Sequence, residues 1–407
     1  MKVAIVHDWL DTCGGAELVL AQLLLCYPTA DIVTLVDFMP SGERDFLRGH
    51  KITTSFIQRL PGARRFFRHC LPLMPRAIES LDVSQYELVI SSSWAFAKAV
   101  KICPGQVHVS YVHTPIRYAW DQQELYLQQA ISREPMRKLA RYFLARLRRW
   151  DIKTAGRGGQ LVANSRFIAE RIQQCWHRDS IVLNPPVALN DFTCTEVKED
   201  FYVTVSRLVH YKAVETLVEA FNLMPDKRLV VIGDGPMFSR LQAMARPNVE
   251  LLGYQAREVV VDYLQRARAF VFAAHEDFGI VLVEAQACGT PVIAYGQGGA
   301  LDSVIPHENT RALDGDCAPT GLFFDQQTPA SVHAAVERFE ALGEGISPRA
   351  CAANAARFTP EIFRREFMAI VERALEASSG LFAGHQDKLH RRDSLLDPVD
   401  EPWSAEE

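Results

Sequence analysis

Two glutamates, Glu276 and Glu284, stand eight positions apart in the stretch AAHEDFGIVLVEAQACGTPVIA, residues 273–294. A carboxylate at such a place can accept hydrogen bonds from adjacent hydroxyls of a polyol, and Glu284 is suited to a ribose. Phe278, Gly279 and Ile280 follow Glu276 at the start of an apolar-faced segment. As the first turn of a helix they offer unpaired N–H groups to hydroxyl or phosphate oxygens. Arg207 and Lys212 flank another turn upstream. Two cations there suit a nucleotide diphosphate and the charge that builds on it as it leaves. Each pair also has an ordinary reading, as surface glutamates on an amphipathic helix or as a common R-x4-K spacing, so the weight lies in their combination.

The elements that must position these groups follow from pattern. Ala269–Phe272 reads as a buried strand, 280–288 as a helix, Gly289 as its left-handed stop, and Pro291–Ala294 as the next strand. This is one right-handed crossover unit, with Glu276 in the loop at a strand's carboxyl end, where open parallel sheets bind ligands. Phe201–Leu208 is a strand running into the turn that carries Lys212. Arg228–Ile232 is another, and Gly233 behind it lets backbone approach a nucleotide from beneath. In the first half, the solid apolar run Val3–Val6 leads to Gly14 and Gly15 and then a helix. That geometry lets backbone close on a diphosphate, yet it is neither G-x-G-x-x-G nor a P-loop. The strand Val107–Val112 delivers His113 and then Arg117, Tyr118 and Trp120, residue types that grip phosphate and stack on sugar faces. Pro115 discourages helix continuation, so His113 is expected to face a cleft.

A chain of 407 residues suits two domains. Its 48% hydrophobic and 23% charged content is that of a globular protein, and a net charge of -5 argues against general nucleic-acid affinity. Nine scattered cysteines, with no C-x-x-C pair, imply free thiols in a reducing compartment. No apolar run approaches membrane-spanning length, and His7 and Asp8 interrupt the N-terminus too soon for a signal sequence. The expected location is cytoplasmic, at most attached to the inner face of a membrane. Two basic tracts, 55–76 and 133–153, either cover small cores with solvated faces or meet anionic lipid headgroups or a polyprenyl diphosphate. Asp314-Gly315-Asp316 superficially matches a D-x-D metal site but falls in a Gly-rich loop, so a turn and no metal are expected.

The E-x7-E spacing, the Ser206–Lys212 and Gly233–Pro236 segments and the NS-x-F…NPPV passage at 164–187 together resemble retaining glycosyltransferases of family 4. HTPIRYAW and VEAQACGTPVIAYG are most similar to bacterial mannosyltransferases of surface-polysaccharide assembly. The resemblance implies an α/β GT-B fold, with two Rossmann-like doubly wound domains facing a cleft. It places an acceptor-side domain at 1–187, a nucleotide-sugar domain at 188–360 and a returning helix at 361–377, and the polar, charged composition from 378 to 407 predicts a disordered tail. The resemblance implies that Glu276, Lys212, Arg207 and His113 are catalytic. Gly14, Gly15, Gly233, Tyr254, Phe278, Gly279, Ile280 and Glu284 would bind a GDP- or UDP-linked sugar, and Arg117, Tyr118 and Trp120 the acceptor. The acceptor would be a glycan or a polyprenyl-diphosphate-linked one, and no cofactor or metal is implied. A nucleotide-sugar epimerase of the same fold and a non-catalytic sugar-nucleotide-binding subunit remain open beside it.

Overall fold

In the run Val3–Val6 every side chain is buried, which marks a strand covered on both faces. It forms β1 (Val3–His7) near the middle of a parallel sheet in the computed structural model. The structure describes residues 1–121, 123–124, 127, 134–307, 318–343 and 345–393, with side chains to Ser379. The other strands of this first sheet are β2 (Asp31–Thr34), β3 (Ile52–Thr54), β4 (Leu88–Ser93), β5 (Val107–Val112), β6 (Gln160–Ala163) and β7 (Ile181–Val182). Their order is β3-β2-β1-β4-β5-β6-β7, so the winding reverses between β1 and β4.

The second sheet contains β8 (Tyr202–Val205), β9 (Leu229–Ile232), β10 (Val249–Gly253), β11 (Ala269–Phe272), β12 (Val292–Tyr295) and β13 (Gly321–Phe324). Its order, β10-β9-β8-β11-β12-β13, reverses between β8 and β11. Every pairing among the described strands is parallel. The two switch points lie where open α/β sheets leave a crevice beyond their strands' carboxyl ends. Two strands were not anticipated. The first, β3, is short and threonine-rich, and the second, β13, opens on Gly321 at the end of the Gly-rich stretch. The D-x-D match at 314–316 lies outside the described residues.

The chain crosses between the lobes at two points. The chain leaves the first lobe through Pro185-Pro186-Val187, and the Val187 N–H donates to the Phe358 carbonyl at 2.8 Å. The closing helix Pro360–Asp393 then returns to the first sheet. Phe363, Phe367, Ile370 and Val371 are at most 3% exposed within the first-lobe core. Each such burial stabilises by roughly 1.5–3 kcal/mol, enough to tie the C-terminal segment to the first lobe. The helix runs past Ser378 to Asp393, and residues 394–407 lie outside the described residues.

The helix Glu134–Ala155 divides in two. Its C-terminal half buries Leu144, Leu147 and Asp151, whereas Met136, Leu139 and Tyr142 nearer its start are more than half exposed, at 52%, 61% and 62%.

Candidate active site

On the second-lobe wall, the turn after β11 is set by backbone packing. Gly279 has φ +84° and opens the helix Ile280–Ala287 as its N-cap. Gly298 and Gly299 press against the back of the same turn. A Cβ on Gly298 would lie 2.4 Å from the Glu276 carbonyl oxygen, and one on Gly299 would lie 2.1 Å from Phe278 Cα. The Gly299 N–H also donates to the Glu276 carbonyl at 2.9 Å. The loop Gly296–Ala300 thus fixes the turn from behind without lining the cleft. Gly289 closes the helix at φ +74°, with the Thr290 N–H reaching back to the Ala285 carbonyl at 3.0 Å.

These constraints place Glu276, Asp277, Phe278, Gly279, Ile280 and Glu284 along one side of an interlobe cavity of about 470 Å³, with Ser206 and Lys212 beside them. The Lys212 ammonium forms an ion pair with the Glu276 carboxylate. Burial and the Arg117 guanidinium pull the Lys212 pKa down to about 8, with Asp277 opposing. Burial also raises Glu284 above the usual carboxylate range, against Arg257, whose guanidinium lies 3.6 Å away. A carboxylate desolvated in this way gains by accepting hydroxyl hydrogen bonds from a ligand.

The opposite wall comes from the first lobe. Gly15 stands so close to the second lobe that a Cβ there would come 3.2 Å from Ile280 Cδ1. His113 lines the cavity, with Nε2 2.9 Å from the Ser92 hydroxyl and its ring against Trp94 and Tyr111. Burial and neighbouring His7 push its pKa down to about 3, so its imidazole is neutral at physiological pH. Asn164 is buried on the same wall, and its Oδ1 has no hydrogen-bond partner among the described residues. An unsatisfied buried acceptor facing a cleft is suited to a ligand hydroxyl or N–H.

The residue that shapes this wall most, Asp8, carried no signal in the sequence reading. Its buried carboxylate accepts the N–H groups of Trp94, Ala95, Phe96 and Ala97 at 2.7, 2.9, 2.6 and 2.7 Å. Burial pushes its pKa up while these backbone donors pull it down. It locks the turn after β4 to the end of β1 across the first switch point and so holds Trp94 at the cleft. An acid directly after a buried strand was the available cue, but its partners lie more than eighty positions away.

Several expected positions fall elsewhere. Arg207 is exposed and does not line the cavity, although the preceding Ser206 does. The Leu208 N–H that follows donates to the Asp234 carbonyl at 2.9 Å. Gly14 is set back from the cavity lining as a helix N-cap whose N–H donates to Glu17 at 2.9 Å. Gly233 lies behind the lining, where a Cβ would sit 1.9 Å from the Ser206 carbonyl, so it makes room for that turn. Tyr254 is 80% exposed and away from the lining. Trp120 donates through Nε1 to Asp151 at 2.9 Å, in a buried network with Lys98 and Trp176, and is taken up by the fold. Arg117 bridges the lobes through an ion pair with Asp277 at 2.5 Å.

Arg117 and Tyr118 line a second space, an apolar cavity of about 610 Å³ in the first lobe. Trp94 and Thr114 border both this cavity and the cleft. Among the described residues no group of three or more His, Cys, Asp or Glu side chains could hold a metal, and no helix is long and apolar enough to cross a membrane.

Residues 193–358 match the family described as Glycosyl transferases group 1. The chain is 34% identical over 142 residues to a GDP-mannose-dependent monoacylated alpha-(1-6)-phosphatidylinositol monomannoside mannosyltransferase of Corynebacterium glutamicum, covering 30% of this chain and 37% of that protein. It is 26% identical over 266 residues to a D-inositol 3-phosphate glycosyltransferase of a Mycobacterium species, covering 59% and 58% of the two chains. The chain thus spans between about a third and three fifths of the length of these curated relatives. Among solved structures it resembles the sucrose-phosphate synthase of Thermosynechococcus elongatus with a TM-score of 0.66 at 18% identity, covering 93% of this chain and 100% of that one. It also resembles Anabaena HepE in complex with UDP, with a TM-score of 0.64 at 17% identity, covering 92% and 100%. The two facing parallel-sheet lobes therefore have the GT-B fold of glycosyltransferases, and the match to the glycosyl transferases group 1 family falls on the second of them.

Proposed function

We propose that the protein transfers a hexose, mannose favoured, from a nucleotide diphosphate sugar to an acceptor hydroxyl with retention at the anomeric carbon, in polysaccharide assembly. The observation that carries this reading is the ion-paired Lys212 and Glu276 facing Gly15 and His113 across one polar cleft. The mannosyltransferase relative favours mannose and a GDP donor. The solved neighbour in complex with UDP keeps a uridine donor in view.

In this reading the diphosphate lies between the Gly15 turn and Lys212, whose ammonium offsets charge on the leaving phosphate. Lys212 thereby supplies electrostatically what a metal supplies in other phosphate chemistry. Glu276 and the N–H groups of Phe278 and Gly279 hold sugar hydroxyls, and Glu284 holds the ribose. Neutral His113 orients the sugar or acceptor by hydrogen bonding, since a group with a pKa near 3 is a weak proton acceptor at pH 7. The bond from the anomeric carbon to phosphate breaks, and the acceptor oxygen bonds to that carbon on the same face. The acceptor proton passes to the departing phosphate oxygen. Arg207 would join Lys212 only by swinging inward on donor binding.

The test is turnover of GDP-mannose and UDP-linked hexoses by the intact protein and by Lys212→Ala. Loss of turnover with retained folding is expected. A Lys212→Ala protein as active as the parent sinks the assignment.

A further inference from the structure

The segment Asn164–Phe167 belongs to the first lobe, yet two of its side chains meet the second. Asn164 lines the cleft, and Ser165 caps the helix Arg166–Trp176 by accepting the Ile168 N–H at 3.1 Å. Arg166, the first residue of that helix, reaches across to Asp302. Its backbone N–H donates to Asp302 Oδ2 at 2.7 Å, its Nε to Oδ1, and its Nη2 to the Leu301 carbonyl at 2.6 Å. A backbone N–H in the first turn of a helix has no partner within the helix, and a carboxylate is favoured there. The Asp302 side chain is 6% exposed, so removing Arg166 would leave a desolvated carboxylate without its cation. Beside this pair the Phe167 ring packs on His275, with centroids 4.7 Å apart.

Both contacts bear on the turn that carries Glu276. His275 directly precedes Glu276, and a Cβ on Gly298 would lie 2.7 Å from its ring. From behind, the Asp302 N–H donates to the Gly299 carbonyl at 3.0 Å, and the Gly299 N–H donates to the Glu276 carbonyl at 2.9 Å. Two backbone hydrogen bonds therefore separate the interlobe ion pair from Glu276, through a glycine whose packing leaves no room for a methyl group. A close-packed path of this kind has little slack to absorb a displacement.

We infer that Arg166 is a positioning residue: from the first lobe it holds, through Asp302 and Gly299, the second-lobe turn that presents Glu276 to the sugar. It lies outside the cleft lining and acts only through its partners. Its removal lets the turn relax away from the geometry the transition state needs, while Lys212 and Glu284 still bind the nucleotide. The inference rests on the sugar-transfer reading for what Glu276 does, whereas the hold on Gly299 is read without substrate.

The test compares the full chain with Arg166→Ala, Asp302→Ala and the double variant. Amide hydrogen exchange at Gly299 is measured first, with no ligand, and is expected to be at least about threefold faster in Arg166→Ala than in the parent. Steady-state assays then use whichever of GDP-mannose or the UDP-linked hexoses the parent turns over. Each single variant is expected to lower kcat about tenfold with donor KM within about twofold, since a misplacement of about 1 Å costs about 100-fold. The double variant is expected to be no worse than the worse single one, because the two residues act through each other. Should Asp302→Ala fail to fold, Asp302→Asn replaces it. Unchanged Gly299 exchange, unchanged kcat, losses carried by KM, or single losses that multiply in the double variant each overturn the inference. A parent that turns over no donor counts against the sugar-transfer reading, and exchange at Gly299 then decides the hold alone.

Discussion

The two walls of the cleft are built by opposite means. On the second-lobe side, local backbone does most of the positioning. Gly279, Gly298 and Gly299 pack one turn so tightly that Cβ atoms are excluded from the latter two, and the acids ride on that turn. On the first-lobe side, distant side chains hold the geometry. Asp8 ties the Trp94 turn to β1, and the buried Lys98–Asp151 pair, 2.7 Å apart, anchors Trp120 in the turn that carries Arg117. The first kind of wall is sensitive to one added methyl group, and the second to loss of one buried charge.

The largest expected effect is at Lys212. Replacing it with Ala should lower kcat by about 10²–10³-fold, or roughly 3–4 kcal/mol, since it lines the cleft and would face the departing charge. Arg207→Ala should cost less than about tenfold, because Arg207 lies outside the lining. Equal losses in steady-state assays would place both cations on the diphosphate and erase the distinction drawn here.

Gly299→Ala tests the tight-turn side of the comparison. Its Cβ would demand space 2.1 Å from Phe278 Cα, so the Glu276 turn must shift. A shift approaching 1 Å costs about 100-fold in rate. The expected signature is a fall in kcat with Lys212 unaltered, and a fully active variant would show that the turn tolerates movement.

Asp8→Ala tests the long-range side. It removes the acceptor of four backbone N–H groups in a buried site, and each donor left unsatisfied costs about 1–3 kcal/mol before water or relaxation offsets it. The Tm should fall by several degrees, and the KM for acceptor should rise more than that for donor. A variant that melts like the parent would show that the Trp94 turn holds itself.

The smallest effect is on pH dependence. Lys212 is charged below about pH 8 and neutral above it, so activity should decline as pH rises through that value. His113 stays neutral down to about pH 3, so no acid limb near pH 6.5 should arise from it. Its stabilising contribution is complete above the ordinary histidine value and is lost as pH falls towards 3, because the unfolded chain then binds the extra proton. A pH–rate profile with a histidine-like limb that disappears in His113→Ala would reverse this assignment.

Much of the second lobe was legible along the chain. The strand Ala269–Phe272, the helix from Ile280, the Gly289 stop and the cleft positions of Glu276, Glu284 and Lys212 follow from residues close in sequence, because turn and helix preferences are local. Arg207, Tyr254 and Trp120 were legible as residue types suited to ligands but not as orientations. A side chain's direction depends on contacts between residues far apart in the chain, as for Trp120 and Asp151. The edge strand β3 was missed because its three residues hold a single apolar one, Ile52, and β13 because Gly321 at its start reads as a turn.

The sequence by itself determined two alternating α/β lobes, the Pro-Pro crossing between them and the acids and lysine of one wall, since those rest on short-range patterns of hydrophobicity, glycine and charge. Only the tertiary structure decided that Asp8 holds the Trp94 turn, that Trp120 donates a hydrogen bond to the buried Lys98–Asp151 pair, and that an apolar cavity adjoins the polar cleft. Those features join groups far apart in the chain, and burial makes each contact strong only after the surrounding core has closed.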